Sequence, residues 1–462
     1  MPPMFFAKAR GIGYKRPLMI AVLRIFLISA GVLFLIASRL FASAGDVYGL
    51  SSLSSSTGGV SLPSRPDIST TYQNPAFLSS ALNFRMALGW MAISDSLAPI
   101  QGVIVQNDSI GKGLEVGDFL TDYPNLSGFN FGLIFPLRKL FPKIAFGMTG
   151  FVPAGSIANM ETSEGVQAVY SNYAYRPRHF SWMVGGAVEV LKNLSLGLAG
   201  NIYWTSGANS QININGKNST VALAMDIKPA VSPIVGLRYL VSRWGFDASY
   251  HAPVDYQFVF KNRSDLVLFG NTGDGGEVSA PVIQFLSESS MFYDPQMIGV
   301  GISRRFSNGI SVGTKWLWKN WKKYRSPLNR VSFTNPGDLE SSVPKLEFRD
   351  VISPGLGVEV PVSSWFLRAG YRYEPERLID QDENSNFLDT DVHLLSAGMG
   401  HTFGSFLGIW IQPVTLDGHL QYHQLVSKTI TKQNPEAIGY KKEGYSIGGS
   451  LLNYGLTLSM AF

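Results

Sequence analysis

Tyr445 to Phe462 reads YSIGGSLLNYGLTLSMAF, and its periodicity decides the fold. From Leu452 onward the even positions Leu452, Tyr454, Leu456, Leu458, Met460 and Phe462 are apolar, and Asn453, Gly455, Thr457, Ser459 and Ala461 between them are small or polar. Alternate side chains of a strand point to opposite faces, so this segment meets two different solvents. The aromatic Phe462 matches the habit of membrane barrels whose last strand is read by a barrel assembly machinery, and it is the expected assembly signal.

The same dyad period recurs upstream. Phe84, Met86, Leu88 and Trp90 alternate with Arg85, Ala87 and Gly89, and Trp244, Phe246, Ala248 and Tyr250 alternate with Gly245, Asp247, Ser249 and His251. This is a wall with apolar side chains toward lipid and small or polar ones toward a lumen. The spacing predicts about fourteen strands, an even number as a bacterial outer-membrane barrel requires. They lie near 83–93, 128–137, 143–152, 180–191, 194–204, 231–240, 243–250, 295–306, 310–318, 351–361, 365–373, 391–402, 416–426 and 446–462. Tight connections near Arg138 to Pro142, Lys192-Asn193, Ser242-Arg243, Ser307 to Gly309 and Val362 to Ser364 largely alternate with long polar stretches, such as Thr205 to Pro229 and Ala252 to Asp294. Lipid offers no hydrogen-bond partner to an open sheet edge, so the first and last strands must pair. The expected fold is all-β, a transmembrane antiparallel barrel over residues 83–462.

Composition agrees with this reading. Charged residues make up 15% and aromatics 12%, with mean hydropathy of only +0.09, too low for a bundle of membrane helices. Cysteine is absent, which excludes disulfides and thiolate metal sites. Lys8, Arg10, Lys15, Arg16 and Arg24 precede the apolar run Ile25 to Ala37 and the sequence Ala42-Ser43-Ala44, so residues 1–44 read as a signal peptide cleaved after Ala44. Removing those five cations and Arg39 turns the formal +5 into −1, and the basic balance is no argument for nucleic acid. Gly45 to Leu82 is rich in Ser, Thr, Gly and Pro and shows no period.

Within that segment, Gln73-Asn74-Pro75-Ala76-Phe77-Leu78 resembles the Asn-Pro-Ala motif in the amino-terminal plug of the FadL-type outer-membrane long-chain fatty acid transport proteins (FadL/TodX). Ser232 to Tyr239 with Trp244 to Val254 resembles the family's central hairpin, and Pro295 to Trp321, and Leu367 to Pro375 followed by Asp391 to Gly398, resemble its later hairpins, in order. The resemblance implies a plug, or hatch, at residues 45–82 inside the barrel, with Asn74, Pro75 and Ala76 as its motif. It also implies hydrophobic substrates that leave through a wall opening where the third strand is kinked. Here that strand carries Gly147 and Gly150 and ends Phe151-Val152-Pro153; Gly and Pro weaken ladder pairing and permit a kink.

One departure concerns Lys315 to Arg325, KWLWKNWKKYR, which is more basic than the family pattern. Trp318, Trp321, Lys322 and Lys323 are the expected outer-loop contacts, aromatics in the interfacial girdle and cations toward lipopolysaccharide phosphates or a fatty-acid carboxylate. Metal and enzyme chemistry have little support. His419 and His423, at i, i+4 on a strand, stand about 13 Å apart, too far to share a metal. Asn271 to Glu277, NTGDGGE, lacks the ligand pattern of a calcium loop. The expected function is passive uptake of long-chain fatty acids or related hydrophobic compounds by a monomer, without metal or cofactor. Aromatic hydrocarbon uptake, a general porin and a lipid-modifying barrel are the rival readings.

Overall fold

The computed structural model describes residues 44–462 except 63–65, 109–112, 120–125, 138–142, 155–167, 169, 175–179, 216–217, 270–276, 280–282, 325–329, 336–338, 341–344, 383–384, 405–411 and 432–443. The expected leader, apart from Ala44, and all of the NTGDGGE stretch except Glu277 lie outside the described residues.

Fourteen strands form the wall. They are β1 (Arg85–Leu97), β2 (Ser127–Pro136), β3 (Ile144–Pro153), β4 (Ser181–Leu191), β5 (Leu194–Asn215), β6 (Asn218–Val241) and β7 (Trp244–His251). β8 (Met297–Arg305), β9 (Ser311–Lys319), β10 (Val351–Val362), β11 (Trp365–Glu374), β12 (Val392–Phe403), β13 (Val414–Thr431) and β14 (Gly444–Ala461) follow. Each pairs antiparallel with its neighbours in sequence, and β14 returns to β1 from Arg85↔Ala461 to Leu97↔Gly449. This closure leaves the wall without a free edge, since an unpaired backbone group in hydrocarbon costs on the order of several kcal/mol. Among the described residues no helix is long and apolar enough to cross a membrane.

The alternation read from Leu452 to Phe462 holds in space. Leu456 is 53% exposed on the outer face, and Asn453 is 0% exposed in the lumen. Further toward the amino-terminal end of β14 the inward positions become apolar, with Tyr445, Ile447 and Leu451 all buried. A bulge between Leu425 and Lys428, opposite the positive-φ residues Gly448 and Gly449, marks the same level. The tight hairpins use left-handed residues, which match the turn to the twist of its strands, at Asn193 (φ 68), Ser242 (φ 54) and Ser363 (φ 56).

Two of the stretches expected as loops contain long strands. β5 and β6 stay paired out to Asn215↔Asn218, Val254–Phe269 runs parallel to β5 from Ser206 to Asn215, and Ile283–Asp294 pairs with it from the other side. A strand bathed in water on both faces needs no apolar side, so composition alone conceals it. Inside the barrel, the described residues of 44–82 include short helices α1 (Ala44–Val47), α2 (Ser52–Ser56) and α3 (Thr70–Gln73) and a 3₁₀ turn at Pro75–Ser80.

Candidate functional site

Local chemistry shapes the amino-terminal segment, and long-range contacts seat it. Ser51 caps α2, accepting from the Ser54 amide, and Asn74 caps the 3₁₀ turn through a 3.1 Å bond from the Ala76 amide, with Pro75 preset for the first helical position. The Asn74 side-chain amide donates to the Leu237 (3.2 Å) and Ala248 (3.0 Å) carbonyls of β6 and β7. That approach needs bare backbone opposite: a Cβ on Gly236 would lie 2.1 Å from Asn74 Oδ1, and one on Gly197 would lie 2.3 Å from the Ala76 nitrogen. Asn74 and Ala76 are both fully buried. On the far wall, Ser52 meets Thr457 and His419, and Gln421 donates to the Ser55 carbonyl at 2.8 Å.

A belt of charge crosses the lumen where this segment begins. The strand registers place Arg238, Asp247, Gly301, Lys315, Gly355 and Arg372 opposite one another in a continuous row from β6 to β11. Lys319 Nζ lies 3.2 Å from the Asp46 carboxylate and 3.0 Å from Glu374, and Arg372 pairs with Glu374 at 3.0 Å while donating to the Asp46 carbonyl. Lys315 is buried and makes no hydrogen bond or ion pair among the described residues, although Asp247 attracts it. Arg238, Lys315, Lys319 and Arg372 thus face Asp46, Asp247 and Glu374, leaving one positive charge in excess.

Directly against this belt lies the apolar core of the lumen. Tyr48, Leu50 and Tyr72 from the segment pack in one cluster with Met91, Phe151 and Met183 from the wall. Tyr170, just before α4 (Ser171–Ala174), and Tyr173 within it complete the cluster from a loop. The Tyr170 hydroxyl accepts from the Gly448 amide at 2.8 Å, and burial pushes its phenol up to about 12 and raises that of Tyr173 as well, so both stay neutral. His423 is wedged between Tyr48 (5.5 Å) and Tyr173 (6.3 Å), and its buried Nε2 has no hydrogen-bond partner among the described residues. A cavity of about 30 Å³ is lined by Tyr48, Tyr72, His251, Lys315 and Arg372, and one of about 20 Å³ by Tyr173, Lys319, Glu374 and His423. Each has room for about one water, so a larger guest requires the segment to move.

The remaining residues singled out in the sequence are dispersed. Gly147 faces Thr71 and Leu78 of the segment, where a Cβ would come within 2.5 Å of the Thr71 hydroxyl. Around it β3 stays in register with β2 from Ala145 to Pro153, and with β4 as far as Phe151↔Ser181. Gly150, Val152 and Pro153 lie along this same strand, and Phe151 is fully buried in the apolar cluster. Trp318 is half-buried on the outer face, Trp321 is buried beneath Arg377, and Lys322 and Lys323 are exposed. Phe462 donates its amide to the Phe84 carbonyl at 2.9 Å, with the two rings 5.7 Å apart. His419 and His423 both point inward, and no group of three metal-ligating residues occurs among the described residues. Sequence reasoning missed Lys315 and Lys319 as lumen residues, although their signal was present: on β9 they alternate with Trp316 and Trp318 and must take the opposite face.

Residues 42–462 match the family profile described as outer membrane protein transport protein (OMPP1/FadL/TodX). The fold is similar to a FadL homologue from Pseudomonas aeruginosa, with TM-score 0.52 and 14% identity over 92% of this chain and 98% of that one. It is also similar to the toluene transporter TodX from P. putida, with TM-score 0.53 and 14% identity over 90% and 99%. The CymD monoaromatic hydrocarbon channel gives TM-score 0.51 and 15% identity over 90% and 98%. No curated protein matches the chain in sequence.

Proposed function

Because the chain belongs to the outer membrane protein transport protein (OMPP1/FadL/TodX) family of outer-membrane transporters for hydrophobic compounds, we propose that its own cargo is an amphiphile with a long apolar tail and a carboxylate, a long-chain fatty acid, moved passively by a monomer. The observation that carries this reading is the lumen belt with one cation in excess, set against an apolar cluster. An anionic head would satisfy Lys315 while its tail replaced the side chains of Tyr48 and Tyr72. A neutral aromatic hydrocarbon has no use for a buried cation, which costs on the order of several kcal/mol to desolvate unless paired.

In this reading residues 45–82 are the hatch, and Asn74, Pro75 and Ala76 fix it to β5–β7. Displacing it opens the lumen, and cargo leaves beside Phe151, where the β3–β4 ladder ends and Pro153 offers no donor. Gly147 and Gly150 give that strand its freedom, and Val152 borders the exit. Outside the lumen, Trp318 belongs to the interfacial girdle, Trp321 packs into the outer loops instead of facing lipid, and Lys322 and Lys323 meet lipopolysaccharide phosphates. No step is covalent; the transporter needs staged, modest binding.

Uptake of labelled oleate and toluene, measured in a strain lacking its own fatty-acid transporter, tests this. Lys315→Met should lower oleate uptake about tenfold, the loss of one charge-assisted bond, and leave toluene uptake unchanged. Equal loss of both, with normal barrel assembly, would favour the hydrocarbon reading.

A further inference from the structure

The rim that carries the tight turns is electrically lopsided. Lys192 and Arg243 sit in the β4–β5 and β6–β7 turns, Arg304 and Arg305 close β8, and Lys143 opens β3; all five are exposed. Against them stands Glu189, already held by Lys143 at 2.6 Å. The β10–β11 turn, Ser363-Ser364, carries no charge. In an outer-membrane barrel the short turns face the periplasm, so these cations border the inner leaflet.

Arg304 has the most defined setting. It continues the lipid-facing row Ile298, Val300 and Ile302, which are 42%, 51% and 38% exposed. Its guanidinium lies 4.8 Å from the Trp244 ring and 4.9 Å from the Phe306 ring, both exposed on the outer surface. Two aromatics at the end of an apolar row mark the interfacial level. A guanidinium stacked on rings keeps its edge N–H groups free for a phosphate, which it can grip through two parallel bonds. Arg243 is the next-door turn residue, and its carbonyl accepts from the Arg305 amide at 2.9 Å.

We propose that Arg304, held by Trp244 and Phe306 and reinforced by Arg243, binds the headgroup phosphate of an anionic phospholipid in the periplasmic leaflet. The uncharged β10–β11 turn leaves that site on the side of β6 to β9. This fixes one preferred lipid neighbour there rather than a uniform annulus.

Native mass spectrometry of the full-length purified protein tests the site with phosphatidylglycerol and phosphatidylcholine of identical acyl chains, and with inorganic phosphate as a competitor. Wild type should retain phosphatidylglycerol about tenfold better than phosphatidylcholine, the preference expected of one or two interfacial arginines. Arg304→Ala with Arg243→Ala should remove the preference, and Lys228→Ala, on the far side of the membrane, should keep it. Equal retention of the two lipids by wild type would overturn the proposal, as would a preference surviving in the double variant. Displacement of the lipid by millimolar inorganic phosphate would show a free-anion site and overturn it too. Arg304→Lys, which keeps the charge but loses the planar stack, should give intermediate retention. It serves as the readout if heat-modifiability on gels shows that the alanine variant fails to fold.

Discussion

At the scale of single residues, Asn74 concentrates the attachment of the interior segment. Its side chain caps one backbone turn and bonds two wall carbonyls while fully buried. Asn74→Ala should loosen residues 45–82 by about 2 kcal/mol, the sum of a lost cap and buried acceptors left without their donor. Amide exchange within α3 and the 3₁₀ turn should then accelerate by more than tenfold, while the wall strands stay protected. Uniform acceleration would mean that the segment and wall open as one unit. The Asn-Pro-Ala tripeptide was visible in the sequence, but its partners were not. Gly197 and Gly236 lie far along the chain, and only the register of β5 on β6 brings their bare backbones to Asn74 and Ala76.

At the scale of elements, the wall was legible because a strand with different surroundings on its two faces alternates with a period of two, repeated here strand after strand. The strand positions expected near 310–318 and 351–361 fall within a residue of β9 (Ser311–Lys319) and β10 (Val351–Val362). The reach of β5 and β6 was not legible, since beyond the membrane both faces meet water and the hydrophobic contrast disappears. The cations of β9 are a different case, because their alternation with Trp316 and Trp318 was visible but the eye goes to the charge run that follows. Weight falls naturally on the crowded Lys322-Lys323 pair, yet those side chains are exposed, whereas Lys315 and Lys319 are buried. Lys322→Ala with Lys323→Ala should therefore leave oleate uptake unchanged. A loss of uptake with normal assembly would move the carboxylate contact out to the loop.

At the scale of the whole molecule, the wall depends on one seam. Phe462 reaches Phe84 through a backbone bond and a ring contact, and Ala461 stands opposite Arg85. Deletion of Phe462 should reduce the amount of heat-modifiable barrel recovered from outer membranes several-fold, a greater loss than removing one hydrogen bond would cause. Recovery at the wild-type level would mean that the assembly machinery reads another feature of β14.

The seam also dictates an order of events in time. Its two strands are separated by nearly the whole chain, and residues 45–82 precede the first of them, so the segment is made before either strand of the seam. Joining such distant segments carries the largest loop-closure entropy in the molecule and makes the last zippering step intrinsically slow. During that wait, the glycine-lined interior presents bare peptide that only the amino-terminal segment fits. Folding thus resembles packing a trunk while shutting it: a segment seated early offers its buried contacts to both strands of the seam and favours their joining.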